Sequence, residues 1–235
     1  KNYIKIIGEE TENWAQGYFQ YDAKKSGGYT LSHLRFGPRP IRYTYLITSA
    51  DFVGCHQFTL LDKLEVLDYA KEGATFLLNT PYPADETWGH LPRKVQEQII
   101  EKDLEVYVID AYKVAGDVGL GSRINTVMQA CFFAISGVLP KDQAIAEIKK
   151  AIKKSYSRYG ENVVEMNNKA VDNALENMVK LEVPAKATSE KEKPPVMVPG
   201  GPDYVYDVAT KIAALKGNQV PVSAMPVDGT FPTET

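Results

Sequence analysis

The sequence predicts an α/β fold: a three-layer αβα arrangement with a mostly parallel sheet, followed by an extended C-terminal linker. Three observations predict it. Short β-rich apolar runs alternate with stretches of helical period, an order that places helices on both faces of a parallel sheet. Glycine-rich turns stand beside two of these elements, at Gly27–Gly28 and across Gly116, Gly119 and Gly121. From Glu182 onward, charge, proline and glycine replace the periodic pattern, as in a linker.

Taken in order, residues 1–13 read as the end of a helix, with Ile4 and Ile7 set against Glu9, Glu10 and Glu12. A strand follows at Tyr18–Tyr21, then an open loop over Ser26–Gly37. Pro38 and Pro40 separate that loop from two further strand candidates, Ile41–Thr48 and Ala50–Cys55, because proline disfavours a sheet interior. Leu60, Leu61, Leu64 and Leu67 give Leu60–Ala70 a helical period, with Gly73 as its stop. Ala74–Leu78 is a short strand and Asn79–His90 a loop carrying Pro81 and Pro83. Leu91–Lys102 is a helix with Val95 and Ile99 inward and Pro92 near its first turn. Leu104–Ala111 is the next strand. Ile124, Val127, Met128, Cys131, Phe132 and Ile135 form an apolar stripe over three helical turns. Pro140–Tyr159 and Glu161–Leu181 are two more amphipathic helices. These observations divide the chain into an α/β domain over 1–182, a mobile linker over 183–203, and a short helix (Tyr204–Leu215, stopped by Gly217) with an extended connector over 204–235.

Two stretches carry candidate binding chemistry. SGGYTLSHLRFGPRPIRYTYLI, Ser26–Ile47, puts two glycines, Thr30, Ser32, His33 and Arg35 within ten residues. Adjacent glycines permit positive φ and close approach to a ligand, and successive N–H groups in such a turn form an anion-binding nest. Thr30, Ser32 and Arg35 would add charge-assisted bonds to a phosphate. The alternative is a glycine turn feeding an ordinary strand. In the second stretch Arg123 and Asn125 sit in the first turn of a helix reached through glycines, where free N–H groups and the helix dipole favour an anion. The letters match neither GxGxxG nor a Walker loop, so no nucleotide class follows, and glycines serving helix–sheet packing fit equally. Asn168 falls on the apolar stripe of its helix with Asn167 beside it. A polar residue there needs a partner, either a neighbouring loop or a ligand. Lys149, Lys150, Lys153 and Lys154 line the back of another helix, as a solvated face or as a docking patch for an acidic partner.

A net charge of −3 gives no electrostatic support for binding nucleic acid. No run of 18 apolar residues spans a membrane, and KNYIKIIGEE lacks a signal-peptide core. Cys55 and Cys131 form neither a disulfide framework nor a CxxC pattern and read as two buried thiols of a cytoplasmic protein. His33, His56 and His90 are scattered, and no HExxH, triad signature or cluster-binding cysteine set is present. The residues suit holding a polyanionic small molecule better than performing bond chemistry alone.

KSGGYTLSHLRFGPRPIRYTYLI (25–47), GLGSRINTVMQACFFAISGVLP (119–140) and VPVSAMPVDGTFPTET (220–235) resemble the pyruvate:ferredoxin (or flavodoxin) oxidoreductase family. The likeness is to the internal domain corresponding to the gamma subunit of multi-subunit 2-oxoacid:ferredoxin oxidoreductases. The last stretch is similar to the connector toward the ferredoxin-like iron–sulfur domain. The resemblance, with the missing initial methionine, implies a piece of a longer polypeptide that begins after a glycine-rich turn usual in the family. It implies an enzyme converting pyruvate and coenzyme A to acetyl-CoA and CO2 while reducing ferredoxin or flavodoxin, built as a homodimer. Thiamine diphosphate, Mg and [4Fe–4S] clusters would belong to other domains of the same polypeptide. This domain would contribute the coenzyme A site and be inactive alone. Gly27, Gly28, Thr30 and Ser32 would offer amides and hydroxyls to phosphate. Arg35 and Arg123 would meet phosphate charge, and Asn125 and Asn167 the adenine or pantetheine amides. The rival reading is an interdomain packing module without direct ligand binding.

Overall fold

Alternate residues of the central strands enter two different cores, and this alternation fixes the architecture. A computed structural model describes residues 2–22, 27–197 and 200–230. Helix α1 (Asn2–Glu10) leads into an antiparallel hairpin, β1 (Trp14–Tyr21) and β2 (Thr30–Gly37). A second sheet holds β3 (Ala50–Cys55), β4 (Ala70–Asn79), β5 (Glu105–Ile109) and β6 (Val179–Lys180) in that spatial order. The first three are mutually parallel and β6 runs antiparallel to β5. Phe76, Leu78, Val106 and Val108 face α2 (Leu60–Lys63), α3 (Ala84–His90) and α4 (Arg93–Glu101), through Leu61, Trp88, Val95 and Ile99. Leu77 and Ile109 face the other way. There they meet α1 and four further helices: α5 (Ala111–Asp117), α6 (Asn125–Ile135), α7 (Lys141–Tyr156) and α8 (Glu161–Asn177). The three-layer αβα fold with a mostly parallel sheet is therefore present. Each fully buried aliphatic or aromatic side chain contributes about 1.5–3 kcal/mol, against ~0–1 kcal/mol for an exposed ion pair. The period-two pattern, rather than charge, holds the layers together.

Several elements differ from the sequence reading. Thr30–Gly37 is a strand rather than an open loop, paired residue by residue with Trp14–Tyr21; Ser26, where that loop was expected to open, lies outside the described residues. Ile41–Thr48 is irregular, because side chains of the hairpin take its polar groups: the Tyr43 and Tyr45 carbonyls accept from Gln16 and Arg35, and the Ile47 amide donates to His33. The expected helix over Leu60–Ala70 breaks at extended Leu64 and resumes as one 3-10 turn, Val66–Tyr69. Gly73 ends no helix; at φ +69° it sits within β4, where the register with β3 shifts. The loop Asn79–His90 contains α3, and Asp110 caps α5 by accepting from the Lys113 amide at 2.9 Å. The helix expected over Glu161–Leu181 stops at Asn177 because Val179 and Lys180 pair with β5.

The expected mobile linker is tied down over much of its length. Gln96, fully buried on α4, accepts from the Thr188 and Ser189 amides at 2.8 and 2.9 Å and donates to the Trp88 carbonyl at 2.6 Å. Trp88 Nε1 donates to Thr188 Oγ1, and the Arg93 amide to the Lys191 carbonyl. Val198 and Pro199 lie outside the described residues, as do Phe231–Thr235 of the connector. The short helix near the C-terminus is π-wound over Val205–Ala209 and α-wound over α9 (Thr210–Ala213). It ends at Leu215, φ +61°, before Gly217 is reached.

Candidate functional site

The hairpin separates its candidate residues onto two faces. Side chains alternate along a strand, so Thr30 and Ser32 share a face with Phe19 and Tyr21, their cross-strand partners. The lower part of that face rests on α1 and the core: a Cβ on Gly17 would run into Ile4, and Phe36 packs on Phe132 with centroids 6.3 Å apart. Toward the tip, Thr30 and Ser32 are exposed. Gly27 adopts φ +70°, and a Cβ on Gly28 would approach the Asp22 side chain at 2.8 Å. Both glycines thus answer a conformational demand of the turn. Over Thr30–Gly37 the extended strand points successive N–H groups in opposite directions, so the nest geometry is confined to the glycine turn that precedes it.

His33 and Arg35 lie on the opposite face. The Arg35 guanidinium donates to Gln16 Oε1 at 2.9 Å and to the Tyr45 carbonyl at 2.6 Å. It also stands 4.9 Å from the Tyr45 ring centroid and 5.9 Å from that of Tyr43. Arg35 is therefore a clamp on residues 41–47, on the face opposite Ser32. His33 is buried and its Nδ1 accepts from the Ile47 amide at 3.2 Å, so Nε2 carries the proton of the neutral ring. Burial, then the nearby Arg35 charge, holds its pKa below the usual histidine value.

The second group gathers where α6 begins. Leu120 is buried between Gly119 and Gly121, which take φ +83° and +61° and let the chain turn sharply into the helix. Ile124 occupies the N-cap and offers no side-chain acceptor, so the first-turn N–H groups of α6 lack a side-chain cap. Arg123 and Asn125 are exposed at that end, with Arg123 Nε donating to the Leu120 carbonyl at 3.3 Å. Asn167 lies behind them and is buried. It accepts from Thr126 Oγ1 at 2.7 Å and donates to the Val163 carbonyl at 2.8 Å, joining α8 to the start of α6. Its amide holds the corner in shape. Asn168 Oδ1 is buried without a hydrogen bond.

The structure thus brings Gly27, Gly28, Thr30 and Ser32 together at the hairpin tip and Arg123 and Asn125 together at α6, on separate elements. The lysines of α7 are largely engaged: Lys149 pairs with Asp172, Lys150 with Glu10 and Glu147, and Lys154 with Glu9. The Lys150 contact holds the Glu10 carboxyl below the usual range. Burial pushes the Cys55 and Cys131 thiols up to about 11 and about 12, and the two lie in different cores, so this pair does not suit iron–sulfur ligation. Among the described residues no group of three His, Cys, Asp or Glu is placed to hold a metal, and no helix is long and apolar enough to cross a membrane.

Sequence reasoning missed Gln16, Asn79 and Gln96. Asn79, at the carboxyl end of β4, accepts from the Ala111 amide and donates to the His56 carbonyl, both at 2.9 Å, and so ties the ends of three strands. An amide side chain immediately after an apolar strand was the available signal.

Residues 2–177 match the pyruvate ferredoxin/flavodoxin oxidoreductase family, and residues 190–235 match EKR, a domain of unknown function. The whole chain aligns with a pyruvate-flavodoxin oxidoreductase of Rhodospirillum rubrum at 54% identity, covering 20% of that protein. It aligns in full with a probable pyruvate-flavodoxin oxidoreductase of Escherichia coli at 48% and a pyruvate:ferredoxin oxidoreductase of Moorella thermoacetica at 45%, again covering 20% of each. The chain thus spans about a fifth of the length of these curated relatives. The fold is similar to that of a pyruvate oxidoreductase subunit, PORC, of Thermotoga maritima, with a TM-score of 0.59, 19% identity, and coverage of 77% of this chain and 91% of that one. On residues 2–177, three quarters of its length, this chain belongs to the pyruvate ferredoxin/flavodoxin oxidoreductase family.

Proposed function

We propose that this chain is the coenzyme A-binding part of a longer pyruvate:ferredoxin or pyruvate:flavodoxin oxidoreductase polypeptide. The observation that carries the reading is the start of α6: a helix of eleven residues, no side-chain cap, a glycine turn before it, and exposed Arg123 and Asn125 beside its N–H groups. Such an end attracts phosphate through unpaired N–H groups and the helix dipole. The hairpin tip offers a second polar element, with the Thr30 and Ser32 hydroxyls and the backbone at Gly27 and Gly28. Arg35 and Asn167 act through other groups, one fixing residues 41–47 and the other fixing α6 on α8.

In this reading the whole polypeptide converts pyruvate and coenzyme A to acetyl-CoA and CO2 and passes electrons to ferredoxin or flavodoxin. Thiamine diphosphate, Mg and [4Fe–4S] clusters are held by other domains, in a homodimeric cytoplasmic enzyme. The residues of this chain bind and orient the thiol carrier. Isothermal titration of coenzyme A into the full-length enzyme and its Arg123→Ala and Ser32→Ala variants tests the site. A hydrogen bond to a charged group is worth about 1.5–3 kcal/mol, so affinity should fall roughly tenfold or more for Arg123→Ala. Unchanged affinity in both variants favours the packing-module reading.

A further inference from the structure

The outward face of the hairpin carries a row of aromatic side chains that the coenzyme A reading leaves unused. Trp14, Gln16 and Tyr18 share that face by strand alternation, and residues 41–47 cross it. Trp14 is 54% exposed, Tyr18 58%, Tyr43 54%, Tyr45 63% and Leu46 39%. The rings are held in place. Gln16 Nε2 donates to the Tyr43 carbonyl at 2.7 Å, Arg35 donates to that of Tyr45, the two rings stand 5.4 Å apart, and the Arg35 guanidinium lies against both. Ile47 is pinned by His33.

We infer that this face is a docking surface for a neighbouring domain of the same polypeptide, with Tyr43, Tyr45 and Trp14 as its anchors. The inference rests on the reading that the chain is part of a longer protein. Tyrosine, tryptophan and arginine are the residues that dominate binding energy at protein interfaces. Anchoring their backbone beforehand removes ordering cost on association. Small-molecule sites are concave and bury most of the ligand, whereas these rings are each more than half exposed. The occupant follows from length: four fifths of each relative lies outside the matched segment. A covalently joined neighbour acts at roughly millimolar effective concentration, ahead of a second copy that must meet the face by diffusion.

Hydroxyl-radical footprinting of the full-length polypeptide tests this. Left open, Tyr43 and Tyr45 would be oxidised at a rate near half of that in the urea-unfolded protein, following their exposure of 54% and 63%; buried in an interface core they would be strongly protected. A photo-crosslinking amino acid in place of Tyr45, in a mixture of 14N- and 15N-labelled enzyme, identifies what covers them. Protection together with isotopically unmixed cross-links to a segment outside these 235 residues is the expected result. Rates near half of the unfolded value overturn the inference. So do mixed-isotope cross-links, which assign the face to a second copy, and cross-links confined to residues of this chain. The coenzyme A titration reads other residues, so either proposal can fail alone.

Discussion

The hairpin and the turn into α6 make opposite use of similar sequence. Both combine glycines with an arginine and small polar residues, and both read as anion sites. In the hairpin, the arginine is drawn into local structure: Arg35 spends its donors on Gln16 and the Tyr45 carbonyl. At α6, Arg123 stays at the surface and a buried asparagine does the structural work instead, through Thr126 and Val163. A motif's donors are available to a ligand only when the fold has not already engaged them. Glycine content reports the backbone's freedom to turn and is silent on which way the neighbouring side chains point.

Substitutions can break or sharpen that contrast. The largest effect is expected for Asn167→Ala, which leaves the buried Thr126 hydroxyl without its acceptor and removes the side-chain bond to the Val163 carbonyl. One unsatisfied buried group costs about 1–3 kcal/mol and a lost neutral hydrogen bond about 0.5–1.5 kcal/mol, so urea unfolding should show a loss of about 2–4 kcal/mol; a loss below about 1 kcal/mol would mean that the α6–α8 lock matters little. Arg35→Ala should cost about 2 kcal/mol, reduced from the full charge-assisted value because the group is partly solvated. It should also speed proteolysis within residues 41–47. Arg123→Ala should leave stability within about 0.5 kcal/mol, as for other surface changes, while weakening coenzyme A binding as described above. Equal destabilisation by the two arginine variants would erase the distinction between the regions.

The smallest effect concerns pH. The folded state holds His33 neutral, with a pKa below the ordinary value near 6.5. Below that value the unfolded chain takes up the proton first. Stability should therefore fall as pH drops from about 6.5 toward the lowered folded value, and recover as pH rises. Protonation at Nδ1 would also abolish the bond to the Ile47 amide. His33→Asn, which keeps an acceptor without titrating, should flatten the stability–pH slope in this window relative to the native chain. Matching slopes would remove His33 from the account.

Local pattern was enough for much of the fold. Short apolar runs at Ala74–Leu78 and Leu104–Ala111, and the stripe from Ile124 to Ile135, specify their elements because a strand covered on both faces reads as a continuous apolar run, while a helix buried on one face repeats apolar residues at its own period. The family likewise follows from long specific stretches. The tertiary structure alone decided whether Thr30–Gly37 is loop or strand, since that depends on the register with Trp14–Tyr21. It alone decided that Ile41–Thr48 gives its polar groups to Gln16, Arg35 and His33, and that buried Gln96 fastens residues 188–189. Those outcomes turn on hydrogen-bond partners far apart along the chain, up to 93 residues between Gln96 and Ser189. A local window carries periodicity, which is a property of neighbours in sequence. It cannot carry the choice among competing distant partners, which is settled only when the layers pack and every buried donor and acceptor must be matched.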